Sequence, residues 1–275
     1  MRQRATSAAI LVPLLLIVIA LGGVAVSIAI ALITLVAVRE VFALLRAAGH
    51  PALPALGAVL ALTVILDAVF PGVLEGSGLL LIAVGVVLTA VASFTRQDPR
   101  DGLATWMATV FGALYVSLLA FVVRLGHAGP AVPAGAPLEV LGPERGWIVL
   151  LILAVWSYDT GAYLVGRRFG RENFLSHISP SKTYAGLVGG IVATTVVVGV
   201  VLVGLGQTPL HALVLGPLTA LAAQAGDLAE SMLKRAAGAK DSGTLIPGHG
   251  GMLDRVDSFL FAAPIVTLYV VALIA

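Results

Sequence analysis

From Ala5 to Val38 the chain carries no charged residue. Wound as a helix at about 1.5 Å per residue, that stretch would run roughly 50 Å, well past the ~30 Å hydrocarbon thickness of a bilayer. Gly22-Gly23 lies near its middle and offers a break, so the run reads as two spans, 8–22 and 24–45. Arg2 and Arg4 before an apolar stretch, with Ala29-Ile30-Ala31 further on, imitate a secretory signal. The apolar sequence continues past any such cleavage site, so an uncleaved anchor is the better reading.

Further apolar segments follow at 52–71, 78–94, 103–124, 147–166, 185–205, 209–225 and 258–275. Their lengths and the Gly/Pro breaks between them predict an all-α, polytopic integral membrane protein with about nine transmembrane helices. With 59% hydrophobic and 11% charged residues, the chain is far from the roughly 25% charge of soluble domains. It is equally far from disorder, which combines few apolar residues with many charges. The absence of cysteine excludes a disulfide framework, a thiolate metal site and a Cys nucleophile. A net charge of +2 gives no argument for nucleic acid. No internal repeat of the inverted transporter kind is visible.

Where the charges sit is more informative than how many there are. With the N-terminus in the cytoplasm, inside loops and span ends hold Arg2, Arg4, Arg39, Arg46, Arg96, Arg100, Arg167, Arg168, Arg171, Lys182, Lys234, Arg235, Lys240 and Arg255. The outside holds Arg124 and Arg145. That bias predicts a cytoplasm-facing polar site and, with an odd span count, an external C-terminus. The Gly-, Pro- and Ala-rich segment 125–146 reads as a plain external connector.

An ionisable residue inside a span is expensive and needs a reason. Asp67 is read as a carboxylate near the outer interface or a neutral hydrogen-bonded acid. Asp159, Tyr163 and Arg167 stand at i, i+4 and i+8, on one helical stripe. They could join helices structurally or line a site. Ser179-Pro180-Ser181-Lys182-Thr183 opens the next span, with Gly186, Gly189 and Gly190 behind it. A Ser/Thr/Lys loop at a helix start can hold a phosphate through hydroxyls, amides and a cation. An ordinary helix start with glycines for close packing is the equal alternative.

The densest polar segment runs from Gly226 to Ser258, with nine charged residues in 33. Asp227, Glu230, Ser231 and Lys234 share one helical face. Lys240-Asp241 precede the turn Pro247-Gly248-His249-Gly250-Gly251, and Asp254, Arg255 and Asp257 open the last span. Such a set suits phosphate chemistry. Hard carboxylates hold Mg²⁺, which keeps one or two protein carboxylates and takes substrate phosphates besides. Cations neutralise the remaining phosphate charge, and glycines let backbone amides approach phosphate oxygens. A loop whose charges only enforce topology would not need five acids interleaved with bases and glycines at two span mouths.

The run Ser231-x-Leu233-Lys234-Arg235 … Lys240-Asp241-x-Gly243 … Ile246-Pro247-x-His249-Gly250-Gly251-Met252-x-Asp254-Arg255-Val256-Asp257 closely resembles the signature of phosphatidate cytidylyltransferases (CDP-diacylglycerol synthases). Asp159, Ala162-Tyr163, Gly166-Arg167 and Gly170-Arg171 are similar to a second family stretch, and Ser179-Pro180 with Lys182-Thr183 to a third. Ser181 stands where the family usually has a first lysine, and Ala185 where it usually has a glutamate. The motifs cover 147–275, so the chain divides into an N-terminal half, 1–146, of about five spans and a catalytic half, 147–275, of about four spans with two cytoplasmic loops.

The resemblance implies transfer of CMP from CTP to phosphatidate, with Mg²⁺ as cofactor and a second ion left open. It also implies a homodimer in a cytoplasmic membrane of the bacterial kind. On this reading Asp227 and Asp254 hold the metal and share one site. Lys234, Arg235, Lys240 and Lys182 bind phosphates. His249 either bonds a phosphate or fixes its loop. Ser179, Thr183, Arg255, Asp159, Arg167, Gly250 and Gly251 complete the substrate site. Glu230, Asp241 and Asp257 orient those ligands or hold the fold. Two rivals stay open: a CTP-dependent lipid-alcohol kinase, which would transfer the γ-phosphoryl, and an ion-coupled transporter, which would place polar residues at mid-span along several helices.

Overall fold

The computed structural model describes residues 2–72, 77–248 and 250–274, with side chains from residue 9 onward. His249 lies outside the described residues. The chain is all-helical. Among the described residues extended pairing is confined to two isolated bridges, Asn173 with Thr183 and Ile246 with Gly250.

The helices are α1 (Arg2–Leu21), α2 (Gly23–Ala47), α3 (Pro54–Val69), α4 (Gly78–Ser93), α5 (Pro99–Ser117), α6 (Ala120–Ala128), α7 (Gly142–Phe169), α8 (Tyr184–Gly204), α9 (Ala212–Ala236) and α10 (Leu253–Leu273). The apolar segments expected from the sequence fall on helices, but 103–124 is divided between α5 and α6 at Leu118–Leu119, where there is neither glycine nor proline. Gly22 adopts φ 87° between α1 and α2. Pro54 opens α3 and Pro99 opens α5, where Asp98 caps by accepting from Arg100 N at 2.8 Å.

Among the described residues six helical stretches are long and apolar enough to cross a membrane: Gly23–Ala47, Pro99–Ala128, Glu139–Phe169, Tyr184–Gly204, Pro209–Ala236 and Leu253–Leu273. Three apolar helices are shorter: Ala9–Leu21, Pro54–Val69 and Gly78–Ser93. At 16 residues, the last two reach about 24 Å, less than a full hydrocarbon thickness of ~30 Å. Leucines and valines stand exposed along α4 and α8, as lipid-facing helices require.

The chain forms two compact units, and its passages from one to the other fall inside α6, α9 and α10. The first unit is Met1–Val123 with Met232–Val256. Its core is built around Phe42 on α2. A Cβ on Gly57 of α3 or Gly112 of α5 would stand within 2.3 or 2.7 Å of that ring, so these glycines let three helices close on one aromatic. Asp67 lies in the last turn of α3 against Gly78 of α4.

The second unit is Arg124–Ser231 with Asp257–Ala275. Here α7 and α8 lie in backbone contact. A Cβ on Gly161 would meet the Gly189 carbonyl at 2.8 Å, and one on Gly190 would meet the Tyr158 ring at 2.5 Å. The segment after α6 is more than the plain connector expected. Trp147 Nε1 donates to Pro130 O at 3.0 Å, and Leu138 N donates to Gly204 O at 2.8 Å, which fastens the loop over the ends of α7 and α8.

Candidate active site

Within the second unit the site is built from the C-terminal end of α7. Thr183 caps α8, its Oγ1 accepting from Gly186 N at 3.1 Å. The same oxygen lies so near α7 that a Cβ on Gly170 would stand 2.9 Å from it. The loop between them folds on itself. Phe174 N donates to Lys182 O and Tyr184 N to Glu172 O, both at 3.1 Å, while Asn173 Nδ2 donates to Pro180 O at 3.0 Å. Ser181, Lys182 and Thr183 are thereby held over a cavity of about 420 Å³. Asp159, Tyr163 and Arg167 line it from α7 and Gln224 from α9. Arg167 Nη1 donates to Tyr163 Oη at 3.2 Å.

Lys182 extends to α9 and forms an ion pair with Asp227 Oδ2. The other oxygen, Asp227 Oδ1, has Ser231 Oγ at 3.4 Å, a long contact. Gln224 is 5% exposed and accepts from the Tyr158 hydroxyl. Its Nε2 has no hydrogen-bond partner among the described residues. A buried donor left so costs about 1–3 kcal/mol, which an acceptor in the cavity would recover. The sequence reading passed over Gln224, although its place three residues before Asp227 on the same helix was a usable signal.

Within the first unit a second polar cluster forms around Asp254. Lys234 Nζ lies 2.6 Å from Asp254 Oδ1. Asp254 Oδ2 has three donors: Ser242 N and Gly251 N at 2.8 Å, and Ser242 Oγ at 2.9 Å. The glycines permit this. Gly250 takes φ 80°, and a Cβ there would meet Asp254 Oδ2 at 2.5 Å. Glu40 of α2, which the sequence reading also passed over, reaches the same loop and is 9% exposed. Its Oε1 accepts from Met252 N at 2.9 Å, and its Oε2 from Leu253 N at 2.7 Å and Ser242 Oγ at 2.9 Å.

Residues 2–273 match the model of the cytidylyltransferase family. The chain belongs to that family. It is 37% identical to a phosphatidate cytidylyltransferase of a Synechocystis species over 99% of this chain and 97% of that one. A Mycobacterium tuberculosis protein of the same name is 36% identical over 85% of this chain and 71% of its own. The chloroplastic phosphatidate cytidylyltransferase 5 of Arabidopsis thaliana is 32% identical over 90% of this chain and 66% of its own.

In this cytidylyltransferase the anticipated residues fall into two groups. Asp159, Arg167, Lys182 and Thr183 surround one cavity, and Asp227 joins them through Lys182. Lys234, Gly250, Gly251 and Asp254 form the other group. Ser179 is buried behind its loop, its amide donating to Leu175 O at 3.0 Å. Arg235 donates to Ala239 O at 3.3 Å, across the glycine turn that ends α9 at Gly238. Lys240, Asp241 and Arg255 are exposed on the loop and at the first turn of α10. Asp257 Oδ1 accepts from Ser258 N at 2.6 Å.

Asp227 in the second unit and Asp254 in the first each carry an oxygen donor of the kind a hard cation takes. Among the described residues no cluster of three or more His, Asp or Glu side chains is poised to hold a metal. Mg²⁺ does not need one, since it takes one or two carboxylates and completes its shell with water and phosphate. Asp227 Oδ1 is the more accessible donor. Asp254 Oδ2 is held by two backbone amides and shares the Ser242 hydroxyl with Glu40, so the oxygen Asp254 would offer a cation is Oδ1, in exchange for Lys234.

Proposed function

We infer that this protein transfers CMP from CTP to phosphatidate, giving CDP-diacylglycerol and pyrophosphate. The observation that carries the reading is the relationship over nearly the whole of both chains to a protein named phosphatidate cytidylyltransferase. A cavity bearing Arg167 and Lys182 beside Asp159 suits polyanionic substrates.

In the reaction a phosphate oxygen of phosphatidate attacks the α-phosphorus of CTP, and the bond to the β,γ-pyrophosphate breaks. A phosphate monoester with its second pKa near about 6 is already largely ionised, so no covalent enzyme intermediate is needed. The task left to the protein is to bring two polyanions together and to stabilise charge on the leaving group. Lys182, Arg167, Lys234 and Lys240 are proposed for phosphate charge, and Thr183 with the amides at the start of α8 for orientation. Asp227 and Asp254 are proposed to hold Mg²⁺, Asp227 through Oδ1 and Asp254 through Oδ1 alone. When bound, the ion supplies charge neutralisation at the reacting phosphates. A second ion is left open.

The chain is further proposed to cross the bacterial cytoplasmic membrane about nine times, with the N-terminus and the polar loops in the cytoplasm and the C-terminus outside. The Lys/Arg distribution supports that orientation. The three shorter helices would then cross where the bilayer thins or where neighbours cover their ends. A homodimer is proposed from the family resemblance. The deciding experiment is to incubate purified protein with CTP, phosphatidate and Mg²⁺ and identify the products. CDP-diacylglycerol with pyrophosphate is expected. In a parallel incubation with diacylglycerol, a lipid alcohol, in place of phosphatidate, phosphorylated lipid with CDP would instead assign a lipid kinase.

A further inference from the structure

Glu40 sits in α2, an apolar helix long enough to span a membrane, yet its carboxylate is buried. Burying a charge there is costly unless it is well hydrogen-bonded. Its donors all come from one place, the loop and first turn that carry Asp254. Met252 N and Leu253 N are among the amides that the start of α10 leaves without partners inside the helix. Glu40 therefore caps α10 from a helix more than 200 residues earlier in the chain. Its third donor, Ser242 Oγ, is also 2.9 Å from Asp254 Oδ2. The one hydroxyl hydrogen lies within reach of both carboxylates and points at one of them at a time, so the positions of Glu40 and Asp254 are linked through Ser242. The packing leaves no slack. A Cβ on Gly251 would stand 2.5 Å from Glu40 Oε2, and one on Gly243 2.7 Å from Oε1.

We propose that Glu40 is a positioning residue for the reaction: by holding Ser242, Met252 and Leu253 it fixes the loop that aims Asp254 Oδ1. The inference rests on the reading of Asp254 as part of the active site. No other residue type substitutes well. Glutamine keeps the shape, but its amide nitrogen would face a backbone N–H. Aspartate is one methylene short.

The test compares wild type, Glu40→Gln, Ser242→Ala and Asp254→Asn, purified in detergent. Backbone hydrogen exchange over 241–254 is measured together with kcat and KM for CTP. Glu40→Gln is expected to speed exchange in that loop at least tenfold while α7 and α8 keep wild-type protection. It is expected to lower kcat at least tenfold with KM for CTP within threefold. Ser242→Ala should do the same to a smaller degree. Unchanged loop exchange in Glu40→Gln overturns the proposal. So does faster exchange with wild-type kcat, provided Asp254→Asn is inactive. If Asp254→Asn also turns over normally, it is the placement of Asp254 in the active site that has failed. Should Glu40→Gln not fold, Ser242→Ala decides: wild-type exchange and kcat there reject the coupling.

Discussion

Lys234 Nζ lies 2.6 Å from Asp254 Oδ1, closing the end of α9 onto the start of α10. The pair is well sheltered, the lysine side chain 13% and the aspartate 6% exposed. Removing one partner of such a pair typically costs about 3–5 kcal/mol, because the other charge is left behind. Lys234→Met is therefore expected to destabilise the protein by about that much, read by unfolding in detergent. The double variant Lys234→Met/Asp254→Asn should recover most of the loss, since no charge is stranded and the Asn oxygen still accepts from Ser242 N and Gly251 N. Additive losses would show that the pair is not the source.

Lys182 and Ser181 are neighbours with unequal roles. Lys182 pairs with Asp227, whereas Ser181 borders the cavity from an exposed position. Lys182→Ala is expected to cost about 1.5–3 kcal/mol of transition-state stabilisation, the range for a hydrogen bond to a charged group. Ser181→Ala should change kcat/KM less than about threefold, under 0.7 kcal/mol. Equal and small effects from both would remove this loop from the site.

Gln224 offers a buried donor to the cavity. Gln224→Met keeps the length and removes the amide. If a substrate acceptor fills Nε2, KM should rise about tenfold, the equivalent of one hydrogen bond near 1.4 kcal/mol. Unfolding should also show a loss of about 1–3 kcal/mol, since the buried Tyr158 hydroxyl loses its acceptor. A stability loss with unchanged KM would reassign the residue to holding Tyr158.

Membrane sidedness has a clean test, because the chain has no native cysteine. Single cysteines at Ser181 and Ala134 are labelled in intact cells with an impermeant thiol reagent. Labelling is expected at 134 and not at 181. The reverse pattern would invert the topology.

Much of this arrangement is legible in the sequence because it is carried by local spacing. The Asp159, Tyr163, Arg167 stripe does line one cavity, and Thr183 does open α8 beside the glycines that seat it on α7. Helix positions follow from the apolar runs. What spacing could not supply is pairing across distance. Glu40 follows Arg39 near the end of an apolar helix, and an adjacent acid and base there read as interface charges. Nothing local separates them from a buried carboxylate whose donors lie beyond residue 240. The loop glycines were read as room for phosphate. Gly251 and Gly243 also admit Glu40, and Gly250 admits Asp254.

The long separation between Glu40 and its donors also bears on how the protein is made. Leu253 is translated 213 residues after Glu40. At about 5–20 residues per second, the interval is roughly 10–40 s. For that time α2 holds its acid in or near the bilayer without the amides that will later cap it. Membrane insertion of α2 and completion of its unit are thus separate events. A ribosome stalled before residue 240 would leave a chain whose early helices are inserted but whose carboxylate still waits for its partners.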